Sequence, residues 1–225
     1  MNFAGLQKTS LLDFPDKIAT VVFVSGCNLR CPFCHNWRLV LEPRNSFLSE
    51  ETVLQVLDSR RKYINAVVVT GGEPTLHVQV PQFLKTLKER GFATKIDTNG
   101  FFPDVLKKCL PYLDYVALDV KTSLEQYQLL GAENLDNYLR TIEMLKEGST
   151  DYEFRNTVVP GFVDSSIITK MGEVVEGAKR FVFQQFVPGD TLDNAFNAVK
   201  PYSRDIIAHF ADLINDYVDE VLLRI

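Results

Sequence analysis

Short apolar runs alternate with amphipathic segments along most of the chain. Six runs are short and rich in β-branched and aromatic residues, a composition typical of strands. They are Thr20–Ser25, Ala66–Thr70, Ala93–Asp97, Tyr115–Val120, Tyr152–Val158 and Arg180–Val187. Continuous apolar runs such as Ala66–Thr70 are typical of parallel strands covered on both faces. The tail Glu220–Ile225 has the composition of one more strand.

The segments between these runs carry apolar residues three and four positions apart, which predicts helices. They are a segment capped by Ser49 with Val53, Leu54 and Leu57, then Val80–Arg90, Asp104–Leu110, Leu135–Glu147, Ser165–Lys179 and Ser203–Val218. Strand–helix alternation predicts right-handed βαβ crossovers and a parallel sheet. A closed eight-unit barrel usually needs about 250 residues. The chain of 225 residues therefore predicts an α/β fold with a partial, open (β/α)6 TIM-like barrel of parallel strands, a doubly wound sheet being the alternative.

Composition narrows the class of protein. Hydrophobic residues make up 46% and charged residues 24%, which is ordinary for a soluble globular domain, and no linker divides residues 1–225. The net charge of −5 argues against nucleic acid as the main partner. The sequence has no apolar run of membrane-spanning length and no secretory signal pattern, so we expect no membrane association and a cytoplasmic protein with reduced thiols.

Three of the four cysteines lie within eight residues, directly after the first predicted strand. Cys27, Cys31 and Cys34 form a C-x3-C-x2-C pattern. Thiolates are soft ligands that suit iron–sulfur clusters, zinc or Cu(I). Zinc would need a fourth ligand, and His35 is adjacent to Cys34 while Cys109 is more typical of a buried apolar position. Three thiolates can hold three irons of a [4Fe–4S] cluster, so the pattern favours that cluster and leaves zinc and unligated thiols as alternatives.

A second motif, Gly71-Gly72-Glu73-Pro74, follows the strand Ala66–Thr70. Ligands of parallel α/β folds bind at the carboxyl ends of the strands. The two glycines allow a ligand to approach the backbone, and the Glu73 carboxylate can accept hydrogen bonds from an ammonium group. A tight turn opened by Pro74 is the structural alternative.

Polar residues also mark the ends of later predicted strands. They are Asp97 and Thr98, then Asp119 and Lys121, then Arg155. Each one alone is typical of a solvated loop. Because they follow successive strands at the ligand-binding end of such folds, we expect them to belong to one site.

The cysteine pattern with an aromatic residue before Cys34, followed by Gly-Gly-Glu-Pro one βα unit later, resembles the radical S-adenosylmethionine (SAM) enzymes. Four further motifs resemble the glycyl-radical-enzyme activating enzymes: CHN at Cys34–Asn36, DTNG at Asp97–Gly100, LDVK at Leu118–Lys121 and VVPG at Val158–Gly161. The resemblance spans about Gly5 to Gly189. The N-terminal region is most similar to anaerobic ribonucleoside-triphosphate reductase activating proteins, because Asp13-Phe14-Pro15-Asp16 stands where pyruvate formate-lyase activators typically have Gly-Pro-Gly.

The resemblance implies a role for each matched residue. Three cysteines would ligate three irons of a [4Fe–4S] cluster, with SAM on the fourth iron: Cys27, Cys31 and Cys34. The other matched residues would surround SAM, namely Phe33 at the adenine, Gly71, Gly72 and Glu73 at the methionyl ammonium, Asp97, Thr98 and Asp119 lining the pocket, and Lys121 and Arg155 at the carboxylate or ribose side. The resemblance also allows a monovalent cation in that pocket. Val187 stands where pyruvate formate-lyase activators have a histidine, so the ribose contact is left unassigned.

The resemblance also implies the reaction and the partners. A flavodoxin- or ferredoxin-like donor would reduce the cluster, SAM would be cleaved to methionine and a 5′-deoxyadenosyl radical, and that radical would take a hydrogen from a glycine of a partner glycyl-radical enzyme. An open barrel would leave room for the partner's loop. No extra cysteines lie between Asn36 and Gly71, which argues against a second cluster. The alternatives are a small-molecule radical SAM enzyme, such as a 7-carboxy-7-deazaguanine synthase-like enzyme, and a non-enzymatic zinc or iron–sulfur binding module.

Overall fold

The protein has an α/β fold in the computed structural model, which describes residues 1–41 and 47–225. Its strands are β1 (Phe3–Ser10), β2 (Ala19–Val24), β3 (Ala66–Gly71), β4 (Ala93–Thr98), β5 (Tyr115–Asp119), β6 (Asp151–Val158), β7 (Phe181–Gln185) and β8 (Val221–Arg224). Its α-helices are α1 (Trp37–Leu41), α2 (Glu50–Ser59), α3 (Val80–Glu89), α4 (Pro103–Cys109), α5 (Leu135–Glu147), α6 (Ser165–Val175) and α7 (Arg204–Ile214). The strand order of the sheet is the chain order, β1 to β8. In the described ranges, no helix is long and apolar enough to cross a membrane.

Parallel pairing follows the prediction, and the N-terminal strand departs from it. The pairs β2–β3, β3–β4, β6–β7 and β7–β8 are parallel. Strand β1 was not predicted, and it pairs antiparallel with β2, with Leu6 opposite Val22. Its pattern hides it, since only Phe3 and Ser10 at its two ends are buried. The predicted tail strand is confirmed as β8, whereas α6 and α7 end about four residues earlier than predicted, at Val175 and Ile214.

The contacts divide the described chain into two compact units. Unit 1 comprises Met1–Cys27, Asn36–Thr98 and Phe102–Val116, and unit 2 comprises Asn28–His35, Asn99–Phe101 and Ala117–Ile225. In unit 1, alternate residues of β2 and β3 point to one face, where Val21 and Val68 pack with Phe14 and Tyr115. Helix α1 of unit 1 starts at Trp37, whose ring lies 4.5 Å from the Arg38 guanidinium carbon.

Unit 2 is built on β6, β7 and β8. Phe181 and Phe183 of β7 are fully buried, with ring centroids 5.0 Å apart. The buried Glu153 carboxylate of β6 accepts two hydrogen bonds from the Arg224 guanidinium of β8, at 2.7 and 2.6 Å. Paired geometry of this kind is what allows a charged group to be buried.

Candidate functional site

The Gly-Gly-Glu motif of unit 1 lies against the backbone that follows β2. The Gly72 N–H donates to the Val24 carbonyl and the Glu73 N–H donates to the Gly26 carbonyl, both at 2.8 Å. A Cβ atom on Gly72 would stand 1.9 Å from the Gly26 oxygen. Gly71 has a φ of +114°, a backbone conformation that favours glycine. This close backbone approach therefore requires both glycines.

Asn36, the last residue of the CHN motif, fixes the same loop. Its Nδ2 donates to the Gly71 carbonyl at 3.0 Å. The asparagine that follows the cysteine segment is thereby joined directly to the end of β3. Both motifs were identified in the sequence, and the structure shows the hydrogen bond between them.

The Glu73 carboxylate is buried at the start of a short 3-10 helix, Pro74–Leu76. Its Oε1 accepts hydrogen bonds from the Thr75 N–H at 2.9 Å, from the Thr75 hydroxyl, and from the Thr98 hydroxyl at 2.7 Å. The structure thus brings together Glu73 and Thr98, two of the predicted residues. Thr75 was not predicted, and its signal in the sequence is its position two residues after Glu73, where a carboxylate can cap a helical turn. These donors hold the Oε1 atom of the carboxylate in one orientation.

Asp97 is paired with a lysine that the sequence analysis did not select. The Lys95 Nζ lies 3.1 Å from the Asp97 Oδ1, and their side chains are only 2% and 10% exposed. The same ammonium donates to the Asp13 carbonyl and lies 5.8 Å from the centroid of the Tyr115 ring. Lys95 and Asp97 are two residues apart on β4, so they point to the same face of the strand.

The cysteine segment of unit 2 forms a turn, in which the Cys34 N–H donates to the Cys31 carbonyl at 3.1 Å. Cys31 is buried and Cys34 is half-buried. Burial raises the pKa of the Cys31 thiol to about 11, an effect that the nearby Lys121 ammonium opposes. Cys31 therefore lies within electrostatic range of a residue predicted to contact SAM.

Backbone from the segment after β7 covers this turn. The Asp193 N–H donates to the Pro32 carbonyl at 2.8 Å, and the Leu192 N–H donates to the Cys34 carbonyl at 3.1 Å. We call residues 186–198 the covering segment. It holds the carbonyls of the cysteine turn in a fixed orientation.

Aromatic residues pack beside the same turn. Phe33, predicted to lie against adenine, is buried with its ring centroid 5.1 Å from that of Phe162 and 6.2 Å from that of Phe196. His35 Nε2 is 2.9 Å from the Val187 carbonyl oxygen, and its ring is stacked on Phe186. His35 thus contacts the backbone of Val187, the residue predicted to stand where pyruvate formate-lyase activators have a histidine. Sequence patterns cannot predict this contact, because the two positions are far apart in the chain.

Three more predicted residues of unit 2 form one charged cluster. The Asp119 carboxylate at the end of β5 is 2.9 Å from the Lys121 ammonium and 2.9 Å from the Arg155 guanidinium of β6. Burial alone would raise the pKa of Asp119, but Arg155 and Lys121 outweigh it and lower this pKa to about 2. Burial also opposes the charged form of Lys121, yet Asp119 raises the pKa of Lys121 well above its usual value. The cluster carries one negative and two positive charges, and this excess of one positive charge suits a carboxylate ligand.

Two buried tyrosines fix the backbone of this cluster. The Lys121 N–H donates to the Tyr127 hydroxyl at 3.0 Å, and the Tyr138 hydroxyl donates to the Asp119 carbonyl at 3.4 Å. Burial raises the pKa of Tyr127 to about 12. Neither tyrosine was selected from the sequence, where Tyr138 lies in the predicted helix Leu135–Glu147 and Tyr127 lies in no predicted element.

The donors present fit an iron–sulfur cluster by their chemistry. Each of the four cysteines, all in the described ranges, is a thiol and not part of a disulfide. No three His, Cys, Asp or Glu side chains among the described residues converge on a single ion position, whereas thiolates that each bind a different iron have no need to converge. Cys109 is fully buried in α4, as expected for an apolar position, and burial raises its pKa to about 12. The cluster and SAM roles of the individual residues stay predictions.

Comparison with known proteins identifies the family. The family model of the Radical SAM superfamily matches residues 21–171. A candidate glycyl-radical enzyme activating enzyme of Methanocaldococcus jannaschii is 32% identical over 230 residues, which covers 98% of this chain and 95% of that protein. The pyruvate formate-lyase-activating enzyme of Clostridium pasteurianum is 30% identical over 204 residues, covering 84% and 82%.

Solved structures show the same fold at low sequence identity. TYW1 with a bound lysine-pyruvate adduct has a TM-score of 0.66 at 19% identity, covering 89% of this chain and 74% of that one. Streptococcus suis SuiB bound to its precursor peptide SuiA has a TM-score of 0.67 at 16% identity, covering 90% and 48%. The predicted fold class is confirmed. The family implies a [4Fe–4S] cluster and SAM as cofactors. From the matched family model and the near full-length similarity, the chain belongs to the radical SAM superfamily and, within it, to the glycyl-radical-enzyme activating enzymes.

Proposed function

We propose that this enzyme generates a glycyl radical on an anaerobic ribonucleoside-triphosphate reductase, using a [4Fe–4S] cluster held by Cys27, Cys31 and Cys34. The observation that carries the proposal lies within unit 2, where the turn of Cys31 and Cys34 shares one compact unit with the charged cluster of Asp119, Lys121 and Arg155. Two predicted cluster ligands thus belong to the same unit as the charges predicted to hold SAM. When bound, the cluster supplies the electron for reductive cleavage of SAM. The proposed compartment is the cytoplasm, where cysteine thiols stay reduced.

The residues of this chain bind and orient the substrate. In the proposal, Lys121 and Arg155 receive the SAM carboxylate, because their cluster with Asp119 carries one excess positive charge. The Glu73 carboxylate, oriented by Thr75 and Thr98, receives the methionyl ammonium. The glycines of the loop keep the backbone close and leave no side chain in the way. Phe33 supports the adenine.

The test starts with cluster assembly. The protein is reconstituted anaerobically with iron and sulfide, and the cluster spectrum is recorded before and after SAM is added. We expect SAM to change the spectrum, because only a cluster with one iron free of protein ligands can bind SAM directly. Cys31→Ser should abolish SAM cleavage, since three ligands leave no spare. The matched control, Cys109→Ala, removes a cysteine outside the motif and should retain cleavage. Cleavage at the wild-type rate by Cys31→Ser would overturn the assignment of the cluster.

The second step identifies the partner. With a flavodoxin- or ferredoxin-like reductant and the anaerobic reductase present, electron paramagnetic resonance should show a glycine-centred doublet. Replacing the partner's radical glycine by alanine should abolish the doublet. Radical formation on another glycyl-radical enzyme, but never on the reductase, would contradict the choice of partner and leave the family unaffected.

The same assay separates the alternatives. Over 81 residues, 35% of this chain, the sequence is 40% identical to the 7-carboxy-7-deazaguanine synthase of Halobacterium salinarum. That similarity is local, whereas the similarity to an activating enzyme covers 98% of the chain. Turnover of a small metabolite without any protein radical would favour the synthase-like function. The non-enzymatic binding module is wrong, because the chain belongs to an enzyme family.

A further inference from the structure

We infer that the Lys95 ammonium is the resident cation of the Asp97 carboxylate, so that this chain needs no monovalent cation from solution at Asp97. The resemblance to activating enzymes allowed such a cation in the pocket that Asp97 lines. The inference rests on the proposed function only in naming SAM as the ligand of that pocket.

The Lys95 ammonium lies beside the Asp97 carboxylate in the interior of unit 1. Lys95 Nζ is 3.1 Å from Asp97 Oδ1, and both side chains are almost completely buried. The ammonium also donates to the Asp13 carbonyl. A carboxylate oxygen and a backbone carbonyl are oxygen ligands of the kind that a sodium or potassium ion would take. The Lys95 ammonium already lies against both of these oxygens.

The second support is charge balance within unit 1. A buried carboxylate needs a compensating charge, and a buried ammonium needs the same. Lys95 and Asp97 supply one charge of each sign to an ion pair. A further cation at Asp97 would add an unbalanced positive charge beside the ammonium, where low polarity strengthens the repulsion between them.

The backbone also keeps Lys95 and Asp97 next to each other. Lys95 and Asp97 belong to the same strand and point to the same face. The ammonium is therefore present at high effective concentration and cannot be exchanged for an ion by changing the salt. Lys95 would then be a positioning residue that holds Asp97 in place toward the ligand pocket.

The wild-type protein is tested first, in potassium, sodium and choline chloride at equal ionic strength. We expect its melting temperature without SAM to agree within about 1 °C among the three salts, and the SAM dissociation constant of the reconstituted enzyme to agree within about twofold. A saturable rise of about fivefold or more in SAM affinity with potassium or sodium over choline would overturn the inference.

Lys95→Met is tested next, because it removes the ammonium and leaves a side chain of similar length. We expect its melting temperature to fall in choline and to recover in part with potassium, and its SAM affinity to become potassium-dependent by about fivefold or more. Adding Asp97→Asn to this variant should remove the dependence. Lys85→Met is the matched control, since the Lys85 side chain on α3 is 44% exposed, and it should behave as the wild type does. A folded Lys95→Met protein as indifferent to cations as the wild type would also overturn the inference.

The experiments still decide the inference when Lys95→Met does not fold or when SAM does not bind. If Lys95→Met does not fold, the wild-type series decides alone, because cation dependence of the wild type is what the inference forbids. If no SAM binds under any condition, the proposed function fails, and the melting temperatures still decide whether Asp97 takes a cation from solution.

Discussion

At the scale of single residues, the variant Glu73→Gln removes the negative charge of the side chain and keeps its shape. Glu73→Gln keeps an oxygen that can accept from Thr75 and Thr98. We expect the SAM dissociation constant to rise about tenfold or more, since a charge-assisted hydrogen bond is worth about 1.5–3 kcal/mol. The iron content should not change. Isothermal titration of the reconstituted protein measures the effect, and the exposed Glu89→Gln is its control. Unchanged affinity at normal iron content would remove Glu73 from the site.

Asp119 gives the protein a specific response to acid. Its pKa is about 2 in the folded protein against 3.8 ordinarily. A lowered pKa means that the ion pairs with Lys121 and Arg155 stabilise the fold fully above about pH 4 and are lost as the pH falls toward 2. Wild type should therefore exceed Asp119→Asn in free energy of unfolding by about 2 kcal/mol at neutral pH. Urea unfolding of the metal-free proteins between about pH 6 and pH 3 measures the difference. A gap that stays constant with pH would contradict this assignment.

At the scale of elements, the loop after β3 tolerates no side chain at Gly72. Gly72→Ala would place a methyl group on the Gly26 carbonyl, whose position is fixed by the hydrogen bond from Glu73. We expect a loss of about 1–3 kcal/mol or more, measured as a fall of several degrees in melting temperature. Gly5→Ala in β1 is the control, because its Cβ would meet nothing within 4 Å. Equal melting temperatures of the two variants would show that the loop can move aside.

The elements also show where sequence patterns suffice. The strands from β2 to β7 are local runs rich in β-branched and aromatic residues, so composition predicts them. Half of the residues of strand β1 are polar, so no local pattern reveals it. It forms because β2 offers it a hydrogen-bonding edge.

The residues of the candidate site also divide into those with a local sequence motif and those that only the fold brings together. The cysteines and Gly-Gly-Glu-Pro are motifs of fixed spacing, and the sequence identifies them directly. Lys95 could not be predicted, since a lysine is almost never fully buried unless it is paired. Its partners, the Asp13 carbonyl and Asp97, come together only in the folded chain. The contact of His35 with Val187 depends on folding in the same way.

At the scale of the whole molecule, the chain passes between units 1 and 2 five times. Neither unit is a continuous piece of sequence, so neither can form without segments from distant parts of the chain. We therefore expect the single domain predicted over residues 1–225 to unfold in one cooperative transition. Differential scanning calorimetry tests this, with equal calorimetric and van't Hoff enthalpies as the expected result. Two separate heat-absorption peaks would contradict it.

The start of α1 has an optical consequence. Trp37 is the single tryptophan of the chain and follows Cys34 by three residues. Iron–sulfur chromophores absorb where tryptophan emits, and energy transfer between them falls steeply with separation. The tryptophan emission of this protein thus comes from one indole three residues from the cysteine segment. We expect its quenching to follow the binding of iron and sulfide at the predicted cluster site without any added dye.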